Sequence, residues 1–379
     1  MSAANQTAGK APPAGRMWAL VAIVILVIAA LATIDSFLEN VEQSELRSQA
    51  QRSYAAGSRL LSVGRRSEAV EALRKAHALE RKNDNYEISL IEALTAAGKA
   101  DEAETLMNET LVREPNNGRA NLIAARLMSK RGRVADAESY YHRAIYGEWP
   151  DNAAAHRTAA RMELIDFLVA NGQKEELLAE LLPLEDEAGK NTSIEKRLAP
   201  LFLVASSPSR AAEAYRVLIR KDPKDATAYA GLGGAELELG DYHAAHAAFS
   251  EASHLKPGDP GLRGQLELSG TLTALDPTPR RLPSMEKYHR SLRVLELASG
   301  DLEQCVANHP EVATGKTAQL LKEAENAVAG PAPAEMTNEF AEGILELSEK
   351  IWQARIQSCG SSTAADEEPT RLIMEKLAQ

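Results

Sequence analysis

The sequence predicts an all-α protein: one transmembrane helix near the N-terminus, an α-solenoid of about six helical repeats, and a C-terminal helical bundle. Three observations carry this. A pattern with a period of 34 residues fills residues 50–259, with Gly64, Gly98 and Gly132 at one position and Ala69, Ala103 and Ala137 at another. The run that opens at Met17 and closes at Ile34 (residues 17–34) contains no charged side chain. No stretch of useful length alternates apolar and polar residues as a half-buried strand would.

Taken in chain order, residues 1–16 are polar and carry Lys10 and Arg16 with no acid, and are expected to be a disordered cytoplasmic segment. Residues 17–34 follow, and eighteen helical residues reach about 27 Å, close to the thickness of a bilayer core. The flank beyond them carries Asp35, Glu39, Glu42 and Glu45 before Arg47. Positive charge collects on the cytoplasmic side of a span, so everything after residue 35 is expected outside the cytoplasm. A cleaved signal peptide is the alternative, because Ala30-Leu31-Ala32 has the small-x-small form of a cleavage site; the length of the apolar run and the lack of a helix breaker before it favour a retained anchor. Residues 35–49 read as an acidic helical spacer.

The repeats divide into two registers, 50–83, 84–117 and 118–151, then 158–191, 192–225 and 226–259. Six residues, 152–157, put them out of phase. The last copy carries Tyr229, Leu232, Gly233, Gly240, Ala245, Phe249, Ala252, Leu255 and Pro257. This resembles the tetratricopeptide repeat (TPR), and the resemblance implies a helix A, a tight turn and a helix B in each unit. The residues fit those jobs. Gly64, Gly98, Gly132, Gly172 and Gly240 end helix A. Small residues (Gly57, Ala125 and Gly233 on helix A; Ala69, Ala103, Ala137, Ala211 and Ala245 on helix B) allow close approach. Leu60, Leu94, Met128, Leu168, Phe202, Leu73, Met107, Tyr141, Leu181, Tyr215 and Phe249 fill the space left, and Pro115, Pro223 and Pro257 stop helix B. One unit cannot cover its own apolar face, whereas a stack can. The fourth unit departs from the pattern, with Leu177 and Leu184 in place of small residues and no breaker between 152 and 172, so its helix A is expected to run about an extra turn and a half. Glu236 stands where an apolar residue is usual.

Beyond the repeats, residues 260–283 read as a capping helix and a Pro-rich linker, residues 284–359 as a helical domain with helices near 284–307, 315–329 and 335–358, and residues 360–379 as a tail with a short apolar helix at 370–377. The two cysteines, Cys305 and Cys359, each close a predicted helix here. In an up–down–up bundle those ends lie on the same side, and an oxidising compartment favours a disulfide; two free thiols, at least one buried, are the alternative.

The chemistry of catalysis is missing from the pattern. A net charge of −11 argues against nucleic acid as a partner. His243 and His246 lack an evident third metal ligand, and Gly231-Leu232-Gly233-Gly234 lies inside a helix rather than after a strand, so neither cofactor nor small-molecule substrate is expected. The chain reads as an interaction module rather than an enzyme. In TPR proteins the A helices line a concave groove that holds a peptide or folded subunit. Arg119, Arg126 and Lys130 share one face of a predicted A helix and Arg157 lies on the next, so the resemblance implies a groove for an acidic segment; a solvated face is the competing reading. The arrangement resembles periplasmic TPR adaptors that assist secretion, cytochrome maturation or pilus assembly. The expectation is a single-pass scaffold in the bacterial inner membrane with periplasmic repeats, held in the bilayer by residues 17–34. The alternatives are an import-type receptor facing the cytosol and a permanent structural subunit of a membrane complex.

Overall fold

The computed structural model describes residues 14–188, 191–313, 315–330, 337–360 and 367–378. Most of the expected N-terminal segment (1–13), residues 331–336 with the start of the helix expected near 335–358, and residues 361–366 of the expected tail lie outside the described residues. Among those described, seventeen α-helices and one short 3-10 turn carry the structure, with no strand. The chain divides into two compact units, Met1–Phe167 and Leu168–Gln379.

The first unit opens with α1 (Ala14–Ser62), a single helix of 49 residues. The apolar run, the acidic spacer and the first helix A are therefore one uninterrupted element. Residues 35–49 contain neither Gly nor Pro, so nothing breaks the hydrogen-bond ladder between them. Ile23, Leu26, Ile28 and Leu31 are exposed along the apolar part, whereas Ala50 is fully buried beside Ala76 and Tyr86, where the repeats begin. Then follow α2 (Arg66–Leu79), α3 (Asp84–Ala96), α4 (Ala100–Arg113), α5 (Gly118–Lys130), α6 (Val134–Tyr146) and α7 (Ala153–Asn171). Gly64, Gly98 and Gly132 take φ of 79°, 78° and 70°, the left-handed turn that closes helix A without a Cβ clash. At 19 residues α7 is longer than the 13-residue α3 and α5, because no breaker precedes Gly172. Helix pairs close tightly where the sequence is small: a Cβ on Gly57 would stand 2.6 Å from Leu73 Cγ.

The second unit continues with α8 (Lys174–Ala188), α9 (Thr192–Val204), α10 (Pro208–Lys221), α11 (Ala226–Glu238), α12 (Tyr242–Leu255) and α13 (Pro260–Leu275). Ser206 occupies the terminating position with φ 54° where the other repeats use Gly. Asp225, Asp241 and Asp259 cap α11, α12 and α13 by accepting backbone N–H bonds. Gly231 and Gly233 serve packing: added Cβ atoms would meet Tyr215 at 2.1 Å and Phe249 at 2.8 Å. Glu236 is buried and bound to Arg216, which answers how an acid fits there. Its carboxyl is held above the usual range, chiefly by burial, with Arg216 opposing.

The C-terminal helices are α14 (Ser284–Asn308), α15 (Gly315–Ala329), α16 (Asn338–Cys359) and α17 (Glu368–Leu377). Here the structure differs from the expected division into a 284–359 domain and a 360–379 tail. Tyr242, Leu272 and Leu275 form one apolar core with Leu295, Leu302, Ile351, Trp352, Ile373 and Met374. The final repeat, its cap, the bundle and α17 therefore share a core. Tyr242 Oη donates to the Leu372 carbonyl at 2.8 Å, and Lys376 Nζ reaches the Gly240 carbonyl and Asp276 Oδ2, each at 2.7 Å. Ahead of α17, the buried Arg355 and Glu367 pair at 2.7 Å. The short apolar run at 370–377 has a face to cover, and the edge of the last repeat covers it.

Candidate functional site

The loop between α6 and α7, residues 147–152, and the first turn of α7 build a distinctive surface of the first unit. After α6 the chain turns at Gly147, which sits so close to its surroundings that a Cβ would lie 2.6 Å from the Arg143 carbonyl and 2.7 Å from the Asn116 carbonyl. Glu148 N–H then donates to Asn116 O at 2.7 Å, and Gly118 N–H donates to Glu148 O at 2.9 Å, a single parallel bridge between two loops. Trp149 lies against Gly118 and donates its indole N–H to the Ala144 carbonyl at 2.9 Å. The His156 ring stacks on it at 4.6 Å and 10°. Arg157 braces the same loop through the Gly147 carbonyl at 3.3 Å. Asn152 completes the turn with φ 45°.

This buttressed loop forms one wall of a cleft of about 580 Å³. The opposite walls come from Gln51 and Tyr54 on α1, Asn83 before α3, Asn85 and Tyr86 on α3, and Arg119 on α5. Gln51, Asn85 and Arg119 are spaced by the repeat period, so they stand at the same place on three successive A helices. Tyr54 and Tyr86 pack with ring centroids 4.8 Å apart. Burial, then Glu80 and Tyr54, push the Tyr86 phenol up. A further hollow of about 460 Å³ shares Tyr54 and Arg119 and adds Ser58, Ser89 and Glu92. Another, of about 600 Å³, shares Asn85, Trp149 and Pro150 and adds Asp84, Arg113, Glu114 and Glu148. Such a surface offers π faces, carboxamides that both donate and accept, and fixed charges, the groups that read an extended peptide.

The basic residues singled out from sequence are placed differently from one another. Arg119 lines the cleft, but its Nη2 is bound to Glu92 at 2.8 Å and to Ser89 at 3.0 Å. Arg126 makes a two-pronged pair with Glu163 on α7, at 2.8 and 2.5 Å. That hydrogen bond, first among the causes, holds the guanidinium firmly charged. Arg131 pairs with Asp101 and Glu104, and Arg133 with Asp136 and Glu104. Lys130 is exposed and has no ion pair among the described residues. Arg157 supports the loop rather than lining the cleft. Carboxylates on neighbouring helices, 27 and 37 residues away, face Arg119 and Arg126 and offset their charge. Sequence reasoning named Arg119 but not Gln51, Asn85, Trp149 or His156. The period that aligns 51, 85 and 119, and the out-of-phase segment itself, were the available signals.

In the second unit the structure sets the sulfurs of Cys305 and Cys359 at 1.93 Å, with Cα atoms 6.2 Å apart, between α14 and α16. His246 Nδ1 lies 3.3 Å from both the Leu266 carbonyl and Ser269 Oγ, a contact between α12 and α13. Among the described residues no cluster of His, Cys, Asp and Glu is arranged to hold a metal ion.

Comparison with known proteins agrees with this architecture. Family models described as the tetratricopeptide repeat match residues 60–127 and 196–260. No curated protein matches the chain. Among solved structures, the chain is similar to YrrB, a TPR protein described as having an unusual peptide-binding site, at 15% identity and a TM-score of 0.41, over 53% of this chain and 99% of that one. It is similar to PilW, described as a type IV pilus biogenesis factor, at 15% identity and 0.37, over 56% and 96%. It is also similar to pilF of Pseudomonas aeruginosa, at 13% identity and 0.29, over 62% and 85%. At these scores the likenesses carry no argument about what this chain binds. The two stretches of matched repeats, and the recurring helix A, left-handed turn and helix B, show that this chain carries tetratricopeptide repeats.

Proposed function

We propose that the protein is a membrane-anchored scaffold that holds a protein partner in the cell envelope through the cleft of its first unit. The tetratricopeptide fold is a protein-interaction scaffold, and the observation that carries the finer reading is the cleft itself. Three successive A helices present Gln51, Asn85 and Arg119 side by side, and the α6–α7 loop with the first turn of α7 walls them in through Trp149 and His156. The indole hydrogen bond, the ring stack and the backbone bridge hold that wall in place.

Support for the anchor comes from α1. Its apolar part exposes Ile23, Ile25, Leu26, Ile28 and Leu31, surface that water penalises and a bilayer accepts. The helix is long and apolar enough to cross a membrane. With Lys10 and Arg16 before it and Asp35, Glu39 and Glu42 after it, the reading places the N-terminus in the cytoplasm and the repeats in the periplasm of a bacterial inner-membrane protein. A photo-reactive amino acid at His156, together with reporters fused after Gln379, tests both halves. The expected result is a protein captured at His156 and a reporter active only in the periplasm. Capture of nothing there, or an active cytoplasmic reporter with a silent periplasmic one, would overturn the corresponding half.

A further inference from the structure

We propose that the first-unit cleft selects a basic extended segment of its partner; this rests on the reading of the cleft as the partner site and adds the chemistry of what it takes. The arginines alone suggest the opposite sign. The pairing pattern reverses it. Around the cleft and the two hollows that share its walls stand five carboxylates, Asp84, Glu92, Glu114, Glu148 and Asp151, and two guanidiniums, Arg113 and Arg119. Both guanidiniums are engaged: Arg113 with Glu87 and Asp84, Arg119 with Glu92. His156, the remaining titratable cleft side chain besides the two tyrosines, lies flat on Trp149.

An incoming anion therefore meets cations whose partners it must displace, and it approaches Glu148 and Asp151, both exposed on the loop. An incoming cation meets those two carboxylates directly. It also meets the half-buried Tyr54 ring, which attracts a positive charge over its face. Gln51, Asn83 and Asn85 supply carboxamides for the backbone of a bound strand. Helices packed at about 8–10 Å separation put the three aligned positions on a line of about 20 Å, the length of roughly six extended residues. The occupant that fits is a segment of about that length carrying Lys or Arg beside an apolar or aromatic residue.

The test uses the full chain in neutral detergent micelles and three fluorescein-labelled decapeptides with the same two aromatic residues, bearing four Lys, four Glu or four Ser at the same positions. The Lys peptide is expected to bind at least tenfold more tightly than the Glu peptide in low salt, with the gap narrowing as salt rises. Asp151→Lys, an exposed loop change, is expected to weaken the Lys peptide at least fivefold, while Glu71→Lys on the outer helix α2 leaves it unchanged. A Glu peptide that binds as well as the Lys peptide, a Lys peptide indifferent to Asp151→Lys, or no binding of the Lys peptide would each overturn the assignment. The photo-reactive residue at His156 separates the two claims. Capture there with no preference for the Lys peptide removes the charge assignment and leaves the scaffold reading; no capture removes the scaffold reading of this cleft as well.

Discussion

Gly118→Ala is the sharpest probe of how the cleft wall is held. A Cβ at this position would lie 2.4 Å from Trp149 Nε1 and 2.5 Å from Cε2, about 1 Å inside ordinary contact. The atoms met belong to a rigid ring, so no side-chain end can swing aside. The indole must leave, and with it go the hydrogen bond to Ala144 O at 2.9 Å and the stack on His156. Overpacking costs about 1–3 kcal/mol and the lost hydrogen bond about 1 kcal/mol. Alanine's better helix propensity returns somewhat under 1 kcal/mol at the first turn of α5. The net is about 2 kcal/mol of local destabilisation. The backbone bridge reports it directly, because the amides of Gly118 and Glu148 form its two hydrogen bonds. Their hydrogen exchange is expected to accelerate by about thirtyfold, the factor that 2 kcal/mol implies. The decisive control is the double variant. With Trp149→Ala already in place the clash is gone, so adding Gly118→Ala costs little, and the cycle gives a coupling of about 2 kcal/mol. Strictly additive effects, or unchanged protection of the two amides in Gly118→Ala, would refute the account of the loop.

Two further predictions concern the second unit. The Cys305–Cys359 bridge closes a loop of 54 residues, for which chain entropy gives roughly 4 kcal/mol before strain; Cys305→Ser is expected to raise hydrogen exchange across α14–α16 while leaving α1–α6 unchanged, and free thiols at both positions in protein taken from its native compartment would remove the bridge. Asp225, the cap of α11, is held below the ordinary carboxylate value first by the hydrogen bond from Lys196 and then, against burial, by the Ala228 and Thr227 amides. Its stabilisation is therefore complete above the unfolded value near 3.8 and is lost as pH falls through the lower folded value; Asp225→Ala is expected to cost about 1 kcal/mol at neutral pH, with the difference from wild type vanishing in acid, and a pH-independent difference would contradict it.

What was legible in the sequence is what the core dictates. Gly57 faces Leu73 and Gly233 faces Phe249 because two helices can approach only where one side chain is missing, and that exchange of small for large repeats every turn of the stack. The positive-φ glycines are legible for a different reason: the left-handed turn after helix A favours a residue without a Cβ. The pairing of the arginines was not. Arg126 was read against the face of its own helix, whereas its charge is answered by Glu163 on another helix, and nothing in a local window reports what the next repeat sets opposite. The docking of α17 was equally hidden. Ile373 and Met374 announce a face to be buried, but the hydroxyl and ammonium groups that fix where it goes, Tyr242 and Lys376, lie more than a hundred residues apart.

If the apolar part of α1 is a membrane anchor, the continuity of the helix fixes how the cleft is held relative to the bilayer, and that can be measured. Tyr54, at the cleft, is twenty residues beyond Ile34, the end of the apolar run. In an unbroken helix that is about 30 Å of rise and a fixed angle about the helix axis. If residues 17–34 span the bilayer, height and heading of the cleft are set by the spacer, with no hinge residue to absorb a change. Two alanines inserted after Glu45 would turn the cleft by about 200° and raise it by only about 3 Å; seven alanines would restore the heading to within about 20° while raising it by about 10 Å. For a partner held in the same membrane, heading matters more than this change in height. Capture at His156 is then expected to fall sharply with the two-residue insertion and to return with the seven-residue one. Equal capture by both variants would mean either that the helix bends between the membrane and the repeats or that the partner arrives free of the bilayer, and in both cases the spacer would not be the element that aims the cleft.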